Sequence, residues 1–255
     1  MPGRGLARHI GSWKYLKKGK AMTVAASERL RTALGLIMDE APADGGRFWA
    51  HPRLRVLYPR YLVMLHTLIR GNVTLMTAAR DAARQTAPAD PTGLMVAEYM
   101  DKHLEEERHH DDWLLDDLEV LGVPRQDVLT HVPSPAVAAL SGSQFYYVQF
   151  YRPVAILGYV AILEGRPPTK VLLDAARRRT GYPEEAFAVL RMHGEFDPGH
   201  IDDMYQLLDS LPLDSDAQLA IMTNAMATHE LARRIMTELM EEHPMTVLRS
   251  ERVPA

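Results

Sequence analysis

Residues 103–122 read HLEEERHHDDWLLDDLEVLG. Leu104, Leu114, Leu115 and Leu118 fall on one 3.6-residue period, with charge between them. Gly122 suits the left-handed residue that ends a helix. The same stretch holds His103, Glu107 and His110. On an α-helix, offsets of four and seven residues return to within about 40° and 20° of the starting direction, so these three share a face. Two imidazoles flanking a carboxylate form a ligand set for a first-row metal. Glu-x-x-His on inward-facing helices is the pattern of dimetal carboxylate bundles. Glu105, Glu106, His109, Asp111 and Asp112 are expected to face solvent, on the side away from the leucines.

Helical patterning extends outward from this stretch in both directions. Ser27 starts a first helix, and a loop spans Ala41–Gly46. Pro59 starts a long helix through about Ala83, and Asp90-Pro91 starts another that runs to Leu121. Ser134-Pro135 opens a helix that Pro153 should kink and Gly165 should stop. Shorter helices are expected over 168–180 and 183–194, with a start at Asp197-Pro198. Asp214 caps a last helix reaching about Glu242. No sustained period-2 strand, Asn-Gly hairpin, phosphate-cradling glycine loop or long repeat occurs. The expected fold class is all-α, one domain of seven to eight helices over 22–245. Residues 1–21 are expected to be a disordered basic leader, and 246–255 a flexible tail.

The composition sets limits. The 255 residues are 47% hydrophobic and 24% charged, which suits a chain with a real core. There is no cysteine, so disulfide scaffolds, zinc-thiolate sites, iron–sulfur clusters and Cys nucleophiles are excluded. A net charge of −4 argues against a dedicated nucleic-acid binder. The first twenty residues carry six basic residues and no acid, but no apolar signal-type core. No uninterrupted apolar run approaches a membrane span of about 20 residues. A cytoplasmic location and no membrane partner are therefore expected.

A second His/acid face, HGEFDPGH, spans 193–200. His193, Asp197 and His200 repeat the His-x3-acid-x2-His spacing. Pro198, Gly194 and Gly199 weaken helix there, so the metal-free chain is expected to break or kink between His193 and Asp197. Glu164 closes the apolar run PVAILGYVAILE, where an unpaired buried carboxylate would be costly.

The order Glu-x-x-His-x-x-Trp-x3-Asp-Leu-x2-Leu-Gly (107–122), Gly-Tyr-x4-Glu-Gly-x-Pro-Pro (158–168) and His-x3-Asp-x2-His (193–200) resembles the haem-oxygenase-like diiron oxidases, a family of iron-containing redox enzymes. The resemblance covers roughly residues 50–240. It implies a seven-helix haem-oxygenase-like bundle, two irons per chain and dioxygen as co-substrate. It also implies oxidation of an amino acid, amine or fatty-acid-like substrate by N-oxygenation, desaturation or oxidative C–C cleavage. By position the ligands would be Glu107, His110, Glu164, His193, Asp197 and His200. No Asp or Glu lies between Asp44 and Asp81, so the first core helix cannot supply the further carboxylate that many members take there. His103 is a candidate seventh ligand or a partner of the ligands, and Glu98, Asp101 and Glu106 are weaker candidates. Tyr159 and Arg152 are candidate substrate contacts, the latter through a substrate carboxylate. Tyr146, Tyr147 and Tyr151 are expected on the same helix as Glu164.

The expected partners are a small-molecule substrate and an electron donor, with a homodimer left open. Thiaminase-type relatives depend on a Cys that this chain lacks. The remaining alternatives are a cofactorless helical oxidase of the pyrroloquinoline-quinone-forming type and a non-enzymatic helical partner-binding protein.

Overall fold

The computed structural model describes residues 24–39 and 42–241, so the basic leader and the C-terminal tail lie outside the described residues. Helix α1 is Ala26–Asp39, and α2, Pro42–Trp49, occupies what the sequence suggested was a loop. The expected helix from Pro59 to Ala83 is two helices, α3 (Leu54–Ile69) and α4 (Asn72–Thr86). Pro59 lies inside α3 rather than at its start. It cannot donate to the Arg55 carbonyl, and that carbonyl accepts from the Tyr182 hydroxyl at 2.8 Å instead.

The helix expected from Asp90 to Leu121 is also two, α5 (Gly93–Glu106) and α6 (His110–Val120). His109 takes the left-handed conformation, φ 74°, at the junction. Gly122 ends this region at φ 77°, as its sequence suggested. After α7 (Arg125–Leu129), Ser134 caps α8 (Pro135–Phe150) by accepting from the Val137 N–H. Pro153 does more than kink this segment. The helix stops, a 3-10 turn spans Pro153–Ala155, and α9 (Ile156–Leu163) starts again. Tyr146, Tyr147 and Tyr151 therefore do not share a helix with Glu164.

Thr169 caps α10 (Lys170–Thr180), and a 3-10 turn at Glu184–Phe187 leads into α11 (Ala188–Ser210). Helix α11 is continuous through Pro198, which overturns the expected break between His193 and Asp197. Burial of Val189, Leu190, Met204 and Leu208 along its length outweighs the local cost of Pro and Gly. Asp214 caps the last helix, α12 (Ser215–Met240), by accepting from the Ala217 N–H at 2.7 Å.

The described residues contain helices and no strands, the all-α bundle expected. Two apolar clusters form its interior. One is built mainly from α1, α4, α5, α8 and α9 and the other mainly from α2, α6 and α10, while α3, α11 and α12 contribute to both. Residues 54–86 have the length and apolar composition of a membrane span, but α3 and α4 divide them, and 56% of the most apolar window is buried.

Candidate metal centre

The two segments singled out by sequence meet between the apolar clusters. His103 comes from the last turn of α5, Glu107 from the α5–α6 junction, and His110 from the first residue of α6. Glu164 follows α9 directly, and α11 supplies His193, Asp197 and His200. All six expected ligands and His103 come together, but not by one uninterrupted helical face. The junction at 107–109 turns Glu107 and His110 inward separately, and their side chains approach at 3.2 Å.

Two groups result. The potential ligand atoms of Glu107, His110 and His193 all lie within 4.8 Å of one another, and so do those of His103, Glu106 and His200. His193 Nδ1 is 3.0 Å from Asp197 Oδ1. Glu164 lies between His103, at 2.9 Å, and His200, at 3.6 Å. Glu107 Oε1 reaches toward His200 at 3.9 Å, so carboxylates connect the two groups. Glu106 was expected to face solvent and was at most a weaker ligand candidate. Its side chain is only 32% exposed and stands 3.6 Å from both His103 and His200. It adds an acid that α3 cannot provide. Glu105, His109 and Asp112 do point outward, with side chains 72%, 62% and 63% exposed.

The electrostatics suit a cation. Burial pushes the Glu164 carboxyl up, but bonds and charge from His103 and His200 reverse this and hold it at about 2. Burial pushes the His103 imidazole down, and Glu164, Glu107 and Glu106 lift it to about 9. In Glu107, burial is outweighed by His110, so its pKa is lowered. In Asp197, burial wins over His193 and the pKa is raised. The donor set itself tests whether a metal fits. Seven buried polar side-chain atoms here lack a hydrogen-bond partner: His103 Nδ1, Glu107 Oε1, both nitrogens of His110, Glu164 Oε2, His193 Nε2 and His200 Nδ1. Only four other such atoms occur among the described residues. Buried unpaired donors and acceptors are costly, and divalent cations would satisfy this concentration of them.

A cavity of about 230 Å³ opens beside the cluster. Its lining includes Glu107, Glu164, His193 and Asp197 from the cluster together with the apolar Met64, Leu68, Leu140, Leu163 and Ile235. Tyr159 also lines it and donates to Asn72 Oδ1 at 2.9 Å. Arg152 does not line it. Its guanidinium is held by Asp90 at 2.9 Å and Asp214 at 2.7 Å, joining the approaches to α5 and α12. Nothing in the sequence marks the α3 and α12 wall residues, whose periodicity reads only as core.

The helical fold and part of the sequence have counterparts among known proteins. The fold is similar to a domain of unknown function with a haem-oxygenase-like fold from Shewanella denitrificans, with a TM-score of 0.71 at 18% identity, over 89% of this chain and 96% of that one. It is also similar to a TenA homolog from Pseudomonas syringae pv. tomato, with a TM-score of 0.65 at 14% identity, over 85% of this chain and 95% of that one. No curated protein matches the sequence. Residues 79–233 match the iron-containing redox enzymes, a span that takes in every candidate ligand. The chain belongs to that family of iron-containing redox enzymes, built on a haem-oxygenase-like helical fold.

Proposed function

We propose that the chain is a non-haem oxidase or oxygenase that holds two irons and uses dioxygen to oxidise a small molecule bound in the cavity beside them. The observation that carries this reading is the pair of adjoining three-residue groups, each with its potential ligand atoms within 4.8 Å of one another. Glu107, His110, His193 and Asp197 would hold one ion. His103, Glu106, Glu164 and His200 would hold the other. Iron in such a nitrogen and oxygen environment supplies dioxygen binding and electron transfer.

The residues around the cluster do the rest. Tyr99 stacks on His103, with ring centroids 5.5 Å apart and planes within 16°, and fixes the imidazole orientation. His110 and His193 meet edge to face at 4.8 Å. The apolar walls exclude water from the cavity and hold the substrate against the cluster. An external electron donor completes the proposal wherever the reaction consumes more electrons than the substrate gives. A cytoplasmic setting belongs to the same reading.

Anaerobic loading with Fe(II), followed by metal analysis, tests it. About two irons per chain are expected. His103→Ala and His110→Ala should each lose about one, because they stand in different groups. Wild-type protein that takes up no iron would end this reading and favour a cofactorless enzyme or a binding protein.

A further inference from the structure

Oxidation of a substrate in the cavity requires electrons from outside it. Reducing dioxygen to water takes four electrons, and a hydroxylation or desaturation draws only two of them from the substrate. The others must reach a cluster that is closed off from solvent, since His103, Glu107, His110, Asp197 and His200 are each less than a tenth exposed. Among side chains, Tyr and Trp can lend an electron to a strong oxidant and take it back, because the ring π system spreads the charge left behind.

Two such side chains stand against candidate ligand imidazoles. Tyr99 stacks on His103, as described above. Trp113 packs on His110 from one turn further along α6, with ring centroids 4.8 Å apart and planes inclined at 34°. Their surroundings differ in the way that decides between them. Tyr99 is 9% exposed, and its hydroxyl is buried without a hydrogen-bond partner. A phenol gives up an electron readily only when a base takes its proton, and no base is placed to do so. Trp113 is 37% exposed. An indole can lose an electron while keeping its proton, and this one meets the ligand ring on one side and solvent on the other. Trp49 is placed differently, packed among Phe48, Tyr58 and Tyr61.

We propose that Trp113 is a redox relay, carrying electrons one at a time from the protein surface through the His110 ring to the metal cluster. This rests on the two-iron function proposed above. The indole gives one electron to the cluster once dioxygen has oxidised it, which leaves an indole radical at position 113. A one-electron reductant at the surface then returns that electron to the indole. No bond is made or broken at Trp113 and no proton need move, so the net change is one electron passed from the reductant to the cluster. The same path drains the oxidant harmlessly when the cavity holds no substrate.

The test mixes anaerobic Fe(II)-loaded protein with dioxygen in the absence of substrate, freezes it within the first turnover, and reads it by electron paramagnetic resonance. Wild type should show an organic radical whose hyperfine splitting narrows when the protein carries ring-deuterated tryptophan. Trp113→Phe should lose this signal and Trp49→Phe should keep it. Ascorbate present during mixing should abolish it, because the relay is refilled from solvent. A tryptophan radical that persists in Trp113→Phe, or one that survives ascorbate, overturns the proposal. Iron content of the same samples separates the two claims. Wild type without iron ends the two-iron function and the relay with it. Iron-loaded wild type without a tryptophan radical ends the relay alone. Should Trp113→Phe also lose its iron, peptide mapping of wild type after repeated oxygen exposure without reductant decides. Oxygen incorporated at Trp113 upholds the relay, and oxygen incorporated at Tyr99 instead, or at neither, overturns it.

Discussion

At the residue scale, Gly158 shows how close the packing behind the cluster is. It lies in α9, six residues before Glu164, where α9 crosses α12. A Cβ at Gly158 would stand 2.2 Å from the Ile221 carbonyl oxygen and 2.8 Å from the Ala225 nitrogen. Both atoms are backbone and cannot swing aside. Gly158→Ala should therefore destabilise the protein by about 3 kcal/mol, at the upper end of overpacking costs, despite the better helix propensity of Ala. Urea unfolding of the metal-free protein measures this. A variant as stable as wild type would show that α9 and α12 can separate freely. Arg152 carries a different lesson. An Arg beside an apolar run suggested a substrate contact, but its two acids, Asp90 and Asp214, are each 62 residues away and no local pattern names them.

At the scale of elements, α6 and α11 are joined by a tertiary cap. No side chain caps α11 from its own N-cap residue, Phe187. Asp117, two turns after His110 on α6, accepts from the Val189 N–H at 3.0 Å instead. This bond ties the helix of His110 to the helix of His193. Burial pushes the Asp117 carboxyl up, Asp116 adds to this, the Val189 and Ala188 amides oppose it, and the result is about 7. Between about pH 4 and pH 7 the folded chain keeps a proton that the unfolded chain has lost. The stability contributed is fully present below the unfolded value and is lost as pH rises through about 7. Asp117→Asn keeps an acceptor for the cap and removes this titration. Its stability should fall less than that of wild type between about pH 4 and pH 8, by on the order of a few kcal/mol. Parallel profiles from urea unfolding would refute the assignment. Helix α11 itself allows a second measurement. Because it is unbroken at Pro198, Pro198→Ala should stabilise by about 2 kcal/mol, the helix gain less the lost rigidity of the unfolded chain. No gain would mean that the helix is interrupted there in solution.

At the scale of the whole molecule, the cluster sits where two apolar interiors meet. Helix α5 belongs to one, α6 to the other, and the ligand-bearing junction 107–109 runs between them. Metal held there would bond both halves at once. Saturating Fe(II) under anaerobic conditions should raise the unfolding temperature in one cooperative transition. Free metal at a thousand times the dissociation constant adds about 4 kcal/mol. Thermal scans with Fe(II) and with chelator check this, and identical midpoints would contradict metal binding to the native state.

The sequence by itself determined the all-α class and both segments that build the cluster. Helical periodicity and capping residues such as Ser134 and Asp214 act over a few residues, so they can be read without a neighbour. The chemistry of Glu107, His110, His193 and His200 is also carried by residue type and short spacing. Only the tertiary structure decided where long helical patterns are interrupted. The left-handed His109 and the unbroken passage through Pro198 run against local propensity, because packing on both sides of the segment fixes the path. It also decided that Glu106 turns toward His103 and His200 while Glu105 faces water. The cavity was beyond sequence for the same reason. Its walls come from α3, α8, α9, α11 and α12, and residues such as Leu68, Leu140, Leu190 and Ile235 become neighbours only when the helices close around one space.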